Sequence, residues 1–144
     1  MWSIDIEKAM VNVPNFLGVF SRDNLPEPQY YPYSLIANTD KQDESGTHWI
    51  AIYVDINGNG IYFDSYGEKP YNAEFKNYLD KFCIHHTWSD AELQCLTCVT
   101  CGEYCCCYVI LRTAGLPHDS FLELFSDNGI SNDLIVKNLF KNLN

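Results

Sequence analysis

The chain has 144 residues with a formal net charge of −10, and 47% of the residues are hydrophobic. This length fits one domain over residues 1–144, and the apolar content excludes a disordered chain, which lacks the apolar surface that offsets ordering entropy. An acidic surface repels phosphate, so nucleic acid is not an expected partner. No apolar stretch reaches the length of a transmembrane helix, so no membrane is expected either.

The first half of the chain predicts one short helix and several strands. Ser3 is suited to cap a helix over Ile4–Val11, and a short apolar run follows it. Strands are predicted over Tyr33–Ala37, His48–Asp55 and Ile61–Asp64. The second strand is apolar on both faces, which is typical of an interior strand. Asn57-Gly58 predicts a two-residue hairpin turn before the third strand.

The second half predicts helices around one buried helix. An amphipathic helix is expected to turn Tyr71, Phe75, Tyr78, Leu79 and Phe82 inward, and strands are expected over Cys83–Trp88 and Glu92–Cys95. Cys101–Ala114 has no wide polar face, so it predicts a buried central helix. A short helix follows over His118–Ser126. A last helix, capped by Ser131, is expected to turn inward Leu134, Ile135, Leu139, Phe140 and Leu143. The fold class is therefore α+β, with a small, mostly antiparallel sheet packed around the buried helix.

The seven cysteines do not form the pattern of a disulfide scaffold. Their number is odd, and Cys105, Cys106 and Cys107 are consecutive, so neighbours cannot easily bridge. Met1–Asp5 lacks the features of a secretory signal, which favours a reducing compartment. Cys95-x2-Cys98-x2-Cys101-x3-Cys105 matches one half of a bacterial iron–sulfur pattern, but it lacks the final Pro and the second quartet. A zinc site with His85-His86 is the better metal hypothesis, yet a cysteine-rich core is favoured over both, and no metal is expected.

Four separated residues are suited to nucleophilic catalysis. Cys101 lies at a predicted helix start, where the helix dipole lowers a thiol pKa, and His48 is suited to act as its base. Asp64 can orient the imidazole, and Gln94 can donate to an oxyanion beside the Cys101 N–H. Gly102 lets substrate approach the helix start. Each residue alone has an ordinary explanation, such as turn chemistry for Asp64 or a surface position for Gln94.

The relative orientation of His48 and Asp64 is less clear from the sequence. A two-residue turn at Asn57-Gly58 would put Asp64 opposite Ala51, on the face away from His48. A loop of odd length or a bulge would bring the two side chains to one face.

The motifs containing these residues resemble those of a known class of enzymes. Gly46-Thr-His48-Trp49, Tyr62-Phe-Asp64-Ser65-Tyr-Gly67 and Gln94-x6-Cys101-Gly102 occur in the order seen in adenovirus-type cysteine endopeptidases. The string is most similar to maturation proteases of virophages and Polinton/Maverick-like elements. SUMO-specific proteases share the His-Trp, Asp-Ser, Gln and Cys-Gly elements.

The resemblance implies a papain-like cysteine protease fold of the adenain/SUMO-protease type and a role for each matching residue. Cys101 would be the nucleophile, His48 the base, Asp64 the orienting acid and Gln94 the oxyanion donor. Trp49 would line a narrow groove for the small residues of Gly-Gly-type cleavage sites. Cys83 matches a cysteine that forms a regulatory disulfide with an activating peptide in the adenoviral enzyme, with a buried thiol as the alternative.

The resemblance further implies a viral or virus-like-element endopeptidase that matures capsid or core precursor proteins. We expect a monomer in the reducing environment of the host cell, in the viral factory or nucleus, and in the virion. No cofactor is expected to be required, apart from the activating peptide that Cys83 suggests. The charge of −10 argues against the DNA stimulation of the basic adenoviral enzyme.

Two alternative functions remain open at this stage. A protease of ubiquitin-like or SUMO-type modifiers would use the same four residues. A non-enzymatic, cysteine-rich metal-binding module would instead use the cysteine cluster.

Overall fold

The structure is a computed structural model that describes residues 1–144, and it contains one five-stranded sheet with helices on both faces. The strands are β1 (Phe16–Ser21), β2 (Tyr33–Asn38), β3 (Trp49–Val54), β4 (Asn59–Phe63) and β5 (His85–Trp88). The helices are α1 (Ser3–Ala9), α2 (Ala73–Phe82), α3 (Cys101–Thr113), α4 (His118–Leu122) and α5 (Gly129–Leu143). The α+β fold class predicted from the sequence is confirmed.

The sheet is more mixed than the sequence predicted. Its strands lie in chain order, β1 to β5. The two inner pairings, β2 with β3 and β3 with β4, are antiparallel, whereas the two outer pairings are parallel. The expectation of a mostly antiparallel sheet is therefore wrong for its edges, because each edge strand returns through a longer connection instead of a hairpin.

The strand β3 divides the core into two layers, as its two apolar faces predicted. Ile50, Ile52 and Val54 pack with α2 on one face. Ala51 packs with α1, α3, α4 and α5 on the other face. The interior of this second layer is α3, where Tyr104 and the residues from Cys105 to Val109 are fully buried. The predicted buried helix is thus confirmed, and it presents its first residue, Cys101, at the edge of the core.

Several predicted boundaries and faces are wrong. The expected strand over Glu92–Cys95 is a loop, because the N–H groups of Leu93 and Gln94 both donate to the carbonyl of Ser65 instead of to a strand. Ser3 lies inside α1, whose preceding residue is Trp2, and makes no cap. Ser131 is likewise inside α5, and Asn128 caps that helix by accepting from the Ser131 N–H at 3.0 Å.

The inward faces of two helices also differ from the predicted pattern. Tyr71 precedes α2 and is 62% exposed. In α5, Leu134 and Ile135 are exposed, while Asn132, Asp133 and Val136 are buried. The buried polar pair faces the loop before α3, as described below, and this rotates the apolar pair toward solvent.

Candidate active site

The hairpin between β3 and β4 brings His48 and Asp64 together. Its loop has three residues, since Val54 pairs with Gly60 and Asp55 N–H donates to the Asn59 carbonyl. The two-residue turn in the prediction is therefore wrong, and Gly58 takes the positive φ of 80° that this longer turn requires. The added residue pairs Phe63 with Ala51, so Asp64 falls on the same side as His48. The His48 Nε2 lies 2.9 Å from Asp64 Oδ1.

A residue that sequence reasoning missed holds this pair in place. The ring of Tyr66 stacks on the His48 imidazole with centroids 4.8 Å apart. The backbone N–H of Tyr66 also donates to Asp64 Oδ1 at 2.8 Å. Tyr66 therefore restrains both partners, and its signal in the sequence is its place in the motif Asp64-Ser65-Tyr66-Gly67, to which no role was given.

Cys101 is the first residue of α3 and contacts His48. Because Nε2 of His48 is occupied by Asp64, Nδ1 is the nitrogen left to face the thiol. Burial opposes ionisation of Cys101, but the hydrogen bond to His48 and the backbone N–H groups of Trp49 and Gly102 outweigh it, so the thiol pKa is lowered. Burial likewise opposes charge on His48, yet Asp64 and Cys101 raise its pKa to about 9. The two shifts favour a thiolate–imidazolium pair.

Gln94 is buried and is oriented by two hydrogen bonds; it reaches the segment before Cys101 through Cys98, and it does not line the groove that holds His48 and Cys101. Its Oε1 accepts from the Ser65 hydroxyl, which fixes the amide orientation, and its Nε2 donates to the Cys98 carbonyl at 2.8 Å. An amide has two N–H donors, so one remains for a ligand. Ser65 was noted in the sequence only as part of the Asp-Ser motif, and its role in orienting Gln94 was not foreseen.

A groove of about 830 Å³ runs past the pair. Trp49, His48 and Cys101 line it together, and the Trp49 indole N–H donates to the Met1 carbonyl at 3.0 Å. Met1 fills the space beside Gly102 that was predicted for substrate. A Cβ added to Gly102 would lie only 2.9 Å from the Met1 Sδ. Packing against Met1 is therefore reason enough for a glycine at the helix start, and its contact with substrate stays a prediction.

The remaining thiols divide into a buried group and a loop pair. Cys105, Cys106 and Cys107 are fully buried and pack α3. Cys83 is also mostly buried against Gly60, and burial raises its thiol pKa to about 11. These conditions suit the buried-thiol alternative for Cys83, while a regulatory disulfide there stays a prediction. Cys95 and Cys98 lie partly exposed in the loop before α3.

Comparisons with known proteins give a coherent set of relatives, although no family model matches the chain. The chain is 30% identical over 100 residues to "Putative thiol protease R355" of Acanthamoeba polyphaga mimivirus. That match covers 62% of this chain and 32% of the relative, so the chain spans about a third of the relative's length.

Two solved structures share the fold. The ASFV pS273R protease superposes with a TM-score of 0.64 at 16% identity, over 94% of this chain and 66% of that one. The central domain of Lpg1148 from Legionella pneumophila superposes with a TM-score of 0.59 at 14% identity, over 99% of this chain and 97% of that one. The chain thus shares its fold with the ASFV pS273R protease and with the central domain of Lpg1148, and its sequence is similar to that of a mimivirus protein described as a putative thiol protease. None of the five helices is both long and apolar enough to cross a bilayer.

Proposed function

We propose that the chain is a cysteine endopeptidase in which Cys101, His48 and Asp64 act as a triad. The observation that carries the proposal is the hydrogen-bonded series of Asp64, His48 and Cys101, which ends at the start of a buried helix. A nucleophile, a base within hydrogen-bond reach and a third group that orients the base are the requirements for activated-nucleophile catalysis.

We propose a reaction in which each of these residues has one role. The Cys101 thiolate attacks the scissile carbonyl carbon, and the carbonyl π electrons move to the oxygen, which becomes an oxyanion. The free Gln94 N–H and the Cys101 backbone N–H, which a helix start leaves without an intrahelical partner, stabilise this oxyanion. As the tetrahedral intermediate collapses, the C–N bond breaks and the His48 imidazolium gives its proton to the leaving amine. A thioester with Cys101 remains.

Deacylation reuses the same base. The neutral His48 removes a proton from a water molecule, which attacks the thioester carbonyl. Collapse releases the carboxylic acid product and returns the thiolate–imidazolium pair. Asp64 keeps Nε2 as the donor throughout, so Nδ1 remains the nitrogen that exchanges protons with the thiol and the water.

We further propose that the substrates are capsid or core precursor polypeptides of a virus or virus-like element. The similarity to viral proteases supports this source, and the groove that Trp49 lines has room for an extended segment. The resemblance to adenovirus-type endopeptidases supports small residues, such as Gly-Gly, at the cleavage site. The seven unpaired thiols suit action in a reducing host compartment and in the virion. We propose activity as a monomer without DNA.

The test compares matched variants on peptides that span candidate Gly-Gly sites. Cys101→Ala and His48→Ala are expected to abolish cleavage. The control is His86→Ala, because His86 also pairs with an aspartate, Asp80 at 2.7 Å, but on the exposed surface. Full cleavage by Cys101→Ala would refute the proposal. A parallel arm with a Gly-Gly-ending modifier fusion distinguishes a modifier protease, and arms with and without reductant test Cys83.

A further inference from the structure

The loop before α3 and the start of α5 bring together three metal-ligating side chains outside the triad. One ligand atom each from Cys95, Cys98 and Asp133 lies within 4.8 Å of the other two. The two cysteines are joined by a tight turn, in which Cys98 N–H donates to the Cys95 carbonyl at 3.1 Å. Both are partly exposed, so an ion has a path to the cluster from solvent.

Asp133 has an oxygen that is available to a ligand. Its Oδ1 accepts from the Tyr104 and Thr100 hydroxyls at 2.8 and 3.1 Å, and from the Cys95 N–H at 3.4 Å. Its Oδ2 is buried without any hydrogen-bond partner, in a residue that is 4% exposed. Buried polar atoms almost always have partners, and the Asp133 carboxylate faces the Cys98 thiol, so a cation held by this oxygen and the two sulfurs would take the place of the thiol proton.

We propose that Cys95, Cys98 and Asp133 form a Zn²⁺ site with a water molecule as the fourth ligand. Two sulfurs and one carboxylate oxygen select zinc over magnesium or calcium, which prefer oxygen alone. Tetrahedral zinc with Zn–S bonds of about 2.3 Å requires sulfurs about 3.8 Å apart, so the ligands close by about 1 Å at most. Two thiolates and a carboxylate carry three negative charges, and the ion neutralises two of them.

The site connects the catalytic loop to α5. Cys98 contributes its carbonyl to Gln94 Nε2, and Cys101 follows three residues later. A bound ion would therefore fix the segment that orients the oxyanion donor and leads into the nucleophile. The inference concerns metal binding and does not depend on the proposed peptidase activity.

The experiment titrates Co²⁺ and Zn²⁺ into the full chain, and Cys101→Ala is the reference protein because Cys101 with His48 is a competing metal site. We expect the Cys101→Ala variant to bind one Co²⁺ with thiolate-to-metal charge-transfer absorption. Adding Cys95→Ser and Cys98→Ser to this variant should eliminate that absorption. Zn²⁺ affinity should fall by more than roughly 10–100-fold, which is the usual loss when a residue that only supports a metal ligand is removed. Adding Cys83→Ser, which removes a thiol on the other sheet face, should change neither measurement.

A second readout covers variants with altered folding. Zn²⁺ should raise the thermal midpoint of Cys101→Ala, but not that of the variant that also lacks Cys95 and Cys98. Asp133→Asn should weaken Zn²⁺ binding while both thiols remain. Asp133 also accepts hydrogen bonds from Tyr104 and Thr100, so Asp133→Asn can fail to fold. In that case the variants at Cys95 and Cys98 provide the test of the metal site. Three results would overturn the site. The first is that Co²⁺ absorption disappears when Cys101 is the only residue replaced. The second is that the absorption persists in the variant that also lacks Cys95 and Cys98. The third is that folded Cys101→Ala binds neither metal.

Discussion

The charge of Asp64 is expected to set the pH range over which the triad is active, and Asp64→Asn isolates that charge. In the native protein one oxygen, Oδ1, accepts from both His48 and Tyr66. An asparagine can keep an oxygen at this position while it loses the charge and exchanges the other oxygen for an amide NH₂. Hydrogen bonds to charged groups contribute roughly 1.5–3 kcal/mol and neutral ones roughly 0.5–1.5 kcal/mol, so the loss is about 1–2 kcal/mol.

This loss converts into a shift of the pH profile. A change of about 1.4 kcal/mol corresponds to one pKa unit, so the basic limb of kcat/KM should move from about pH 9 to about pH 8. The sign follows from the carboxylate, which favours the protonated imidazole, so removing its charge lowers the His48 pKa.

The matched control is Asp80→Asn. Asp80 pairs with His86 at 2.7 Å on the exposed surface, so this variant removes the same kind of charge far from the triad. Its pH profile should match that of the native protein. If Asp64→Asn and Asp80→Asn gave the same basic limb, the pairing of Asp64 with His48 would not control the imidazole pKa, and the reasoning would be refuted.

Three further predictions concern the pH profile of the native protein, the stacked ring of Tyr66 and the backbone conformation of Gly67. The native kcat/KM should rise with pH as the thiolate forms and fall tenfold per pH unit above about 9 as His48 loses its proton, whereas a flat profile between pH 7 and 11 would contradict the ion pair. Tyr66→Leu removes the stacked ring, worth roughly 0.5–1.5 kcal/mol, so kcat/KM should fall about 2–12-fold and the basic limb should shift to lower pH, unlike a purely structural loss. Gly67→Ala would place a Cβ 2.7 Å from the Asp90 carbonyl oxygen at a φ of 76°, so chemical denaturation should show a loss of about 2–4 kcal/mol. Gly115→Ala, with a positive φ but open space, should lose only about 1–2 kcal/mol.

The sequence was sufficient to predict the elements whose side-chain periodicity reflects burial. The two apolar faces of β3 predicted an interior strand, and the absence of a polar face predicted the buried α3. The four residues of the candidate site were selected by chemical type and order, and the structure brings His48, Asp64 and Cys101 into contact. Residue type and order therefore selected three side chains that the fold brings together, while the roles proposed for them stay predictions.

Features that depend on one extra residue or on buried polar groups were not predictable in the same way. The hairpin loop could close with two residues or three, and only the three-dimensional pairing shows that it has three. In α5, the positions of the apolar residues predicted that Leu134 and Ile135 face inward. This prediction does not allow for buried polar side chains such as Asp133. Asp133 is buried because it accepts hydrogen bonds from the hydroxyls of Thr100 and Tyr104. These residues are far from Asp133 in the sequence, so no local sequence pattern predicts the contact.

The three-residue loop between β3 and β4 also has an evolutionary consequence. Strand side chains alternate, so gaining or losing one residue in this loop would turn Asp64 to the opposite face of the sheet unless a bulge absorbed the change. A change of two residues would preserve the alternation. Selection on a functional triad would therefore allow the exposed hairpin tip to vary in composition apart from Gly58, whose positive φ the turn requires, while restricting its insertions and deletions to even numbers.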